Sequence, residues 1–269
     1  MSGPVGLGRA AAHGRVAALG RVAAFAPQVA VVFGSGLAAP PRDAVIREEL
    51  AYEELDWPRT AVPGHASRLL LVEAPAEDGA RLRLALACGR PHFYEGWAEE
   101  ELGHCVRDLC AAGASRVVLT NSTGSLRPAV EPGAVVVCSA LVDLQAAPPG
   151  EDPPLLAVCA QREADRAAAA LAPHGRTGVY VAVAGPQFET AAEAEWLSRH
   201  GDVVGMSAAP EVRAAHTAGA SCCLLALVAN RAAAVLSHEE VLSGGASLAA
   251  LLAGRLAATI AARWPALRA

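Results

Sequence analysis

Five times along this chain an apolar, strand-like run breaks directly into a glycine-rich or polar segment: GSG at 34–36, GRPHFYEG at 89–96, NSTGS at 121–125, GPQFET at 185–190, and Asn230. No other feature constrains the fold as much. The runs before the breaks, at 28–33, 81–88, 116–120, 177–184 and 221–229, have the length and apolar content of buried strands. Further strands are predicted at 68–73 and 134–142. Alanine-rich stretches that suit helices lie at 9–25, 97–112, 155–172, 190–200, 209–219 and 239–263. A turn-rich surface loop is predicted at 145–154. Strands alternating with helices predict an α/β fold: one domain over 1–269, with a mixed, mostly parallel central sheet flanked by helices. Ligands of open α/β sheets bind beyond the carboxyl ends of the strands. The five breaks therefore predict one shared site.

Composition removes several classes of function. The formal net charge is −5 with no basic cluster, which argues against a nucleic-acid surface. Arg9, Arg15 and Arg21 interrupt the first segment before a signal-peptide core can form. The late apolar run from Ser221 to Ala229 is far shorter than the ~20 residues of a membrane span. No membrane partner and a cytoplasmic location are the expectations. The seven cysteines show neither CxxC nor Cys/His metal spacing, so they read as reduced thiols with no metal site.

The breaks carry recognisable chemistry. Glycines after a strand let backbone N–H groups approach an anion, and Ser35 adds a hydroxyl; a ligand-free turn reads equally well. Arg90 and His92 lie two apart, so an extended segment points them the same way. Arginine clamps phosphate, and Tyr94 on that side could bond a sugar hydroxyl; the plainer account is a surface turn. NSTGS could present a nest of N–H groups or a floor beneath a ring, or be an ordinary loop. Phe188 and Glu189 suit a heterocycle, stacking on one face and accepting at one edge, while a helix start with a first-turn glutamate is the plainer account. Met206 and Ser207 precede a helix whose first turn holds Pro210 and Glu211. His238 stands at another helix start, where a lone histidine is usually structural or exposed.

Taken in order, VVFGSGL, VPGHASRL, GRPHFYEGW, VVLTNSTGSL, YVAVAGPQFETAAE, VVGMSAAPEV and LSHEEVL resemble the trimeric type of purine nucleoside phosphorylase, within the family that includes methylthioadenosine phosphorylase. The resemblance runs from about 28 to 250. It implies phosphorolysis of purine nucleosides to free base and (deoxy)ribose 1-phosphate in purine salvage. Inorganic phosphate would be a co-substrate, with no metal or organic cofactor, and the assembly a homotrimer. Ser35, Arg90, His92, the backbone at Ser122 and the Ser207 hydroxyl would hold phosphate, with His65 on the loop beside it. Tyr94 and Met206 would contact the ribose and His238 its 5′-hydroxyl. Phe188 would pack on the purine, while Glu189 and Asn230 would read its edge; Glu189, Asn230 and His92 would be the catalytic groups. A carboxylate at 189 accepts from the N1–H of a 6-oxopurine, which adenine lacks, so inosine- and guanosine-like nucleosides are the expected substrates.

The chain departs from the family pattern in four places. NSTGS replaces NAAGG, which puts the bulk of Thr123 and Ser125 where base and phosphate should pass. Ala229 replaces a threonine. The interval from Asn230 to His238 is shortened. Pro153-Pro154-Leu155-Leu156 stands where relatives carry a phenylalanine that reaches the neighbouring subunit. These departures cluster at base and sugar. They motivate two alternatives: a phosphorylase shifted toward a 5′-modified or 6-amino nucleoside, and a nucleoside-binding paralogue with little catalysis.

Overall fold

The computed structural model describes residues 5–38, 40–41, 43–76, 80–145 and 152–233. In chain order the elements are α1 (Val5–Phe25), β1 (Val29–Val32), β2 (Val45–Ala51), α2 (Tyr52–Leu55), β3 (Arg68–Pro75), β4 (Arg81–Cys88), α3 (Glu99–Leu102) and α4 (His104–Ala111). They continue with β5 (Arg116–Ser125), β6 (Val135–Asp143), β7 (Leu155–Ala157), α5 (Gln161–Ala170), β8 (Gly175–Ala182), α6 (Ala191–Leu197), β9 (Val203–Gly205), α7 (Ala209–Thr217) and β10 (Ser221–Arg231).

The strands form one sheet in the order β10-β6-β8-β9-β5-β1-β4-β3-β2, and β10 also pairs with β5. Strands β5, β10, β6, β8 and β9 therefore close a ring, while β1, β4, β3 and β2 extend from β5 as an open sheet. The sheet is mixed: parallel pairs β1–β4, β1–β5, β5–β10, β6–β8 and β8–β9 are balanced by antiparallel β2–β3, β3–β4, β5–β9, β6–β7 and β6–β10. Successive side chains of a strand point to opposite faces. In β1, Val29 and Val31 enter one core cluster and Ala30 and Val32 the other. Both faces are covered, so the strand reads as a continuous apolar run. Glycine lets α5 approach closely: a Cβ on Gly175 would lie 1.9 Å from the Ala168 carbonyl oxygen, so α5 sits directly on the start of β8.

Several elements differ from the sequence expectation. The helix expected over 155–172 begins only at Gln161, because Leu155–Ala157 pair with β6. The helix expected over 97–112 is divided at Gly103 into α3 and α4. The strand expected to end at Thr120 runs through NSTGS to Ser125, so that segment is not a loop. Strand β2 is exposed at most positions and carries Arg47, Glu48 and Glu49, which hides it from a hydrophobic pattern, and β9 has three residues. The helix expected at 239–263 lies outside the described residues. Among the described residues no helix is long and apolar enough to cross a membrane. All seven cysteines are buried or half-buried.

Candidate active site

Sheet topology opens the site. β10 pairs with β5 along its whole length, so β1 and β9 must share the other edge. β1 takes residues 116–119 and β9 takes 124–125. Between them, 120–123 have no strand partner on that edge among the described residues. The cleft lies at this gap, a switch point of the sheet. Its walls include Ser35, Arg90, His92, Tyr94, Ser122, Thr123, Phe188, Glu189, Met206, Ser207 and Asn230. All five strand-end segments thus meet. His65 stands one hydrogen bond behind the wall, and His238 lies outside the described residues. A wider cleft of about 910 Å³ runs past α2 and Trp97, but none of the expected residues line it. Its arginines are already paired, Arg59 with Glu53 and Arg68 with Glu49.

Arg90 is the centre of one end, with 1% of its surface exposed. Its Nη1 donates to the Thr120 carbonyl at 2.9 Å and to Asn121 Oδ1, and lies 3.3 Å from Ser207 Oγ. Its Nη2 is 3.4 Å from the Val32 carbonyl. Glu211, buried in the first turn of α7, places Oε1 2.8 Å from Nε, although Nε has no aligned hydrogen bond. The contact is thus one of charge. Most of the five N–H groups of this guanidinium are turned toward protein atoms, and Glu211 offsets its charge. Arg90, expected from the sequence to clamp phosphate, is set here as a buried hub. Asn121, not singled out from the sequence, has a fixed orientation: arginine only donates, so the oxygen must face Arg90. Its Nδ2 then donates to Tyr180 Oη at 2.8 Å and to Ser207 Oγ at 3.0 Å. Burial raises the Tyr180 pKa above the usual phenol value.

One hydroxyl, that of Ser35, is left as a donor by this network. The Arg90 backbone N–H donates to His65 Nδ1 at 3.1 Å. A neutral His65 ring then carries its proton on Nε2, which lies 2.8 Å from Ser35 Oγ. Ser35 accepts that bond and keeps its own hydrogen free. Ser207 accepts from Asn121, faces Arg90 and is itself bonded to Tyr180. His92 is oriented by Glu95, whose Oε1 accepts from the His92 backbone N–H at 2.7 Å and lies 3.1 Å from Nδ1. A carboxylate only accepts, so Nδ1 bears hydrogen and Nε2 of the neutral ring offers a lone pair. Burial lowers the His92 pKa, Arg90 adds to that, and Glu95 opposes it. Glu95 also accepts from Thr60 Oγ1 at 2.9 Å, tying the 60–62 loop to the site.

Tyr94 stacks on His92, with ring centroids 4.9 Å apart. Gly185 has φ +74°, and a Cβ there would lie 2.5 Å from Met206 Sδ and 2.9 Å from Tyr94 Cδ1. The GPQFET turn therefore packs against the residues expected at the sugar. Thr190 caps α6 by accepting from Glu193 N–H at 3.3 Å, and Glu193, not Glu189, is the first-turn glutamate. Glu189 is left half-buried on the cleft wall, its pKa raised by burial and by Glu193, against a lowering bond from its own backbone. Phe188 is 46% exposed. A bulge between Val228 and Asn230 sets Ala229 out of register and re-aims Asn230, whose Nδ2 donates to the Arg231 carbonyl at 2.8 Å. The expected obstruction by Thr123 and Ser125 is smaller than their bulk suggests. Thr123 lines the cleft but donates to the Leu227 carbonyl at 3.1 Å, and Ser125 donates to Arg127 at 2.8 Å and lies off the cleft wall.

Comparison with known proteins agrees with this geometry. The model of the phosphorylase superfamily matches residues 10–261. The chain is 37% identical over 244 residues to the purine nucleoside phosphorylase of Mycobacterium tuberculosis (strain ATCC 25618 / H37Rv), covering 87% of this chain and 88% of that protein. It is 35% identical over 228 residues to the purine nucleoside phosphorylase of Cellulomonas sp, covering 81% and 80%. Among solved structures it resembles isoform 2 of the Schistosoma mansoni purine nucleoside phosphorylase, in complex with cytosine and ribose-1-phosphate, with a TM-score of 0.76, 25% identity and coverage of 93% and 95%. It also resembles a schistosoma purine nucleoside phosphorylase in complex with hypoxanthine, with a TM-score of 0.72, 26% identity and coverage of 92% and 97%. The chain belongs to the phosphorylase superfamily and, within it, to the purine nucleoside phosphorylase family.

Proposed function

We infer that this protein cleaves purine nucleosides with inorganic phosphate, giving free base and (deoxy)ribose 1-phosphate, and that 6-oxopurine nucleosides such as inosine and guanosine are its substrates. One observation carries the reading: a single cleft has the hydroxyls of Ser35 and Ser207 at one end and a carboxylate beside an aromatic ring at the other. Ser35, Ser207, Arg90 and the backbone at Ser122 suit phosphate, with His65 behind Ser35. The Nε2 lone pair of His92 can accept a proton from protonated phosphate. Phosphate oxygen attacks C1′, the C1′–N9 bond breaks, and its electron pair leaves on the base. Positioning and charge stabilisation supply the catalysis. Glu189 accepts from N1–H, and Asn230, once its amide turns from Arg231, donates to N7. Tyr94, Met206 and Phe188 hold ribose and purine, with His238 as the partner of the 5′-hydroxyl. No metal or organic cofactor enters this scheme.

The same reading includes a cytoplasmic homotrimer in purine salvage. Exposed apolar side chains at Leu155, Phe188 and Trp196 support a subunit boundary beside the base end. Light scattering giving a monomer with full activity would refute the trimer. The deciding assay for the reaction is inosine cleavage with and without phosphate, followed by a panel of ribo- and deoxyribonucleosides. Absence of phosphate-dependent cleavage of every purine nucleoside tested would sink the reading. One observation favours a shifted base choice as the second reading: Asn230 is bonded to its own chain, and adenosine leading the panel would establish that reading.

A further inference from the structure

Ser122 presents a side chain that the network around it leaves unused. Its Oγ is buried and has no hydrogen-bond partner among the described residues, although the residue is only half-buried and lines the cleft. A buried hydroxyl without a partner costs about 1–3 kcal/mol, and one kept in a native structure calls for an explanation. Its neighbours on the strand pose no such question. Thr120 Oγ1 accepts from Gly34 N–H at 3.2 Å, and Thr123 donates to Leu227.

The position of Ser122 supplies the explanation. It lies on the stretch of β5 that neither β1 nor β9 covers. Side chains two apart on a strand share a face, so Ser122 shares one with Thr120, which holds the Gly34–Ser35 turn. Ser35 already offers a free hydroxyl hydrogen to the cleft, whereas the Ser207 hydroxyl is bonded to Tyr180. Arg90 is mostly committed to protein carbonyls and is offset by Glu211. An anion seated here must therefore draw much of its stabilisation from hydroxyl donors. Hydrogen bonds to a charged group are stronger than neutral ones. Reaching the anion takes a widening of the cleft at Ser122, or a swing of about 120° about its Cα–Cβ bond between staggered positions.

We propose that the Ser122 hydroxyl is a donor to the phosphate co-substrate beside Ser35, and sets the affinity of this protein for the anion. The proposal rests on the phosphorolytic reading above and adds the side chain to the backbone role given there.

The test compares wild type with Ser122→Ala in two assays. In the first, the phosphate KM is measured at saturating inosine and the inosine KM at saturating phosphate. The variant is expected to raise the phosphate KM about 10-fold, the loss of one charge-assisted hydrogen bond, with the inosine KM unchanged. In the second, Tm is followed against inorganic phosphate alone, where ligand binding to the folded state raises Tm. The phosphate-induced rise is expected to shrink in the variant. Without phosphate, the variant Tm is expected to be no lower than that of wild type, since only an unpaired hydroxyl is lost. An unchanged phosphate KM with an equal Tm rise overturns the proposal. So does a raised inosine KM with an unchanged phosphate KM, which would place the hydroxyl on the sugar. If wild type cleaves no nucleoside, the phosphorolytic reading fails, and the phosphate titration alone still decides the role of Ser122.

Discussion

At the β1 end of the cleft, Arg90, Asn121, Ser207, Tyr180 and Glu211 are tied into one buried network by contacts of 2.8–3.3 Å. At the other end, Phe188 stands 46% exposed, Glu189 is half-buried, and Asn230 is bonded to its own chain. The Arg90 end is tied together before any ligand arrives, so on the proposed reading only Ser122 is left to reorder there. The base end must reorganise when a base enters. A site built this way can change which base it accepts without disturbing what holds the sheet together, whereas changes to the Arg90–Glu211 pair act on binding and folding together.

The largest expected effect separates the two ends by stability. Arg90→Ala removes one partner of a buried ion pair and leaves Glu211 uncompensated, at a cost of about 3–5 kcal/mol. Denaturant unfolding should show that loss along with loss of activity. An unmoved midpoint would mean that the anion end does not support the fold. Glu189→Gln is expected to leave the midpoint near wild type and to lower kcat/KM for inosine about 100-fold, or ~2.7 kcal/mol of transition-state stabilisation. Near-wild-type cleavage by that variant would move the base pocket elsewhere.

The same residue sets a pH dependence. Burial raises the Glu189 pKa, so the carboxylate needed to accept from N1–H is lost on acidification at a pH above the ordinary carboxylate range. The acid limb of kcat/KM should lie there in wild type and vanish in Glu189→Gln. For stability the sign is opposite: a raised carboxyl pKa favours the fold below the unfolded value, and that contribution fades as pH rises through the folded one.

Gly185→Ala probes the middle of the cleft. Its methyl would collide with Met206 and Tyr94 at a positive φ. The nucleoside KM should rise about 10-fold, within the range of ~1–3 kcal/mol for overpacking, while the phosphate KM holds. An equal rise in both would show that the two ends are mechanically coupled. The smallest effect is expected from Asn230→Asp. Paired inosine and adenosine kinetics should show a shift of less than about 10-fold toward adenosine, and an unchanged ratio would remove Asn230 from base reading.

The anion end was the more legible in sequence, through Arg90, His92, Ser35 and Ser207, each on a short motif of fixed spacing. Their hub, Asn121, was seen only as part of NSTGS, because the pairing that continues β5 through small polar residues is a tertiary effect. Glu211 was noted at a helix start, but its ion pair with Arg90 joins positions 121 apart in the chain, beyond any local pattern. Strand β2 escaped because only Leu50 of its seven residues is buried. At the base end, Phe188, Glu189 and Asn230 were named correctly as residues that line one cleft, but the bulge that re-aims Asn230 leaves no mark in composition.

The ring closed by β5, β10, β6, β8 and β9 also bears on behaviour in solution. Closure removes lateral edges, so among the described residues the sheet ends in the three-residue β7 and in β2. Strand β2 exposes Val45 and Ile46, an invitation to a passing chain, but it also carries Arg47, Glu48 and Glu49 and a bulge between Ile46 and Glu48. Charge and twist on that rim discourage strand-to-strand stacking. The protein can therefore keep an alanine- and valine-rich interior, 53% hydrophobic over the whole chain, without its sheet becoming a template for fibres.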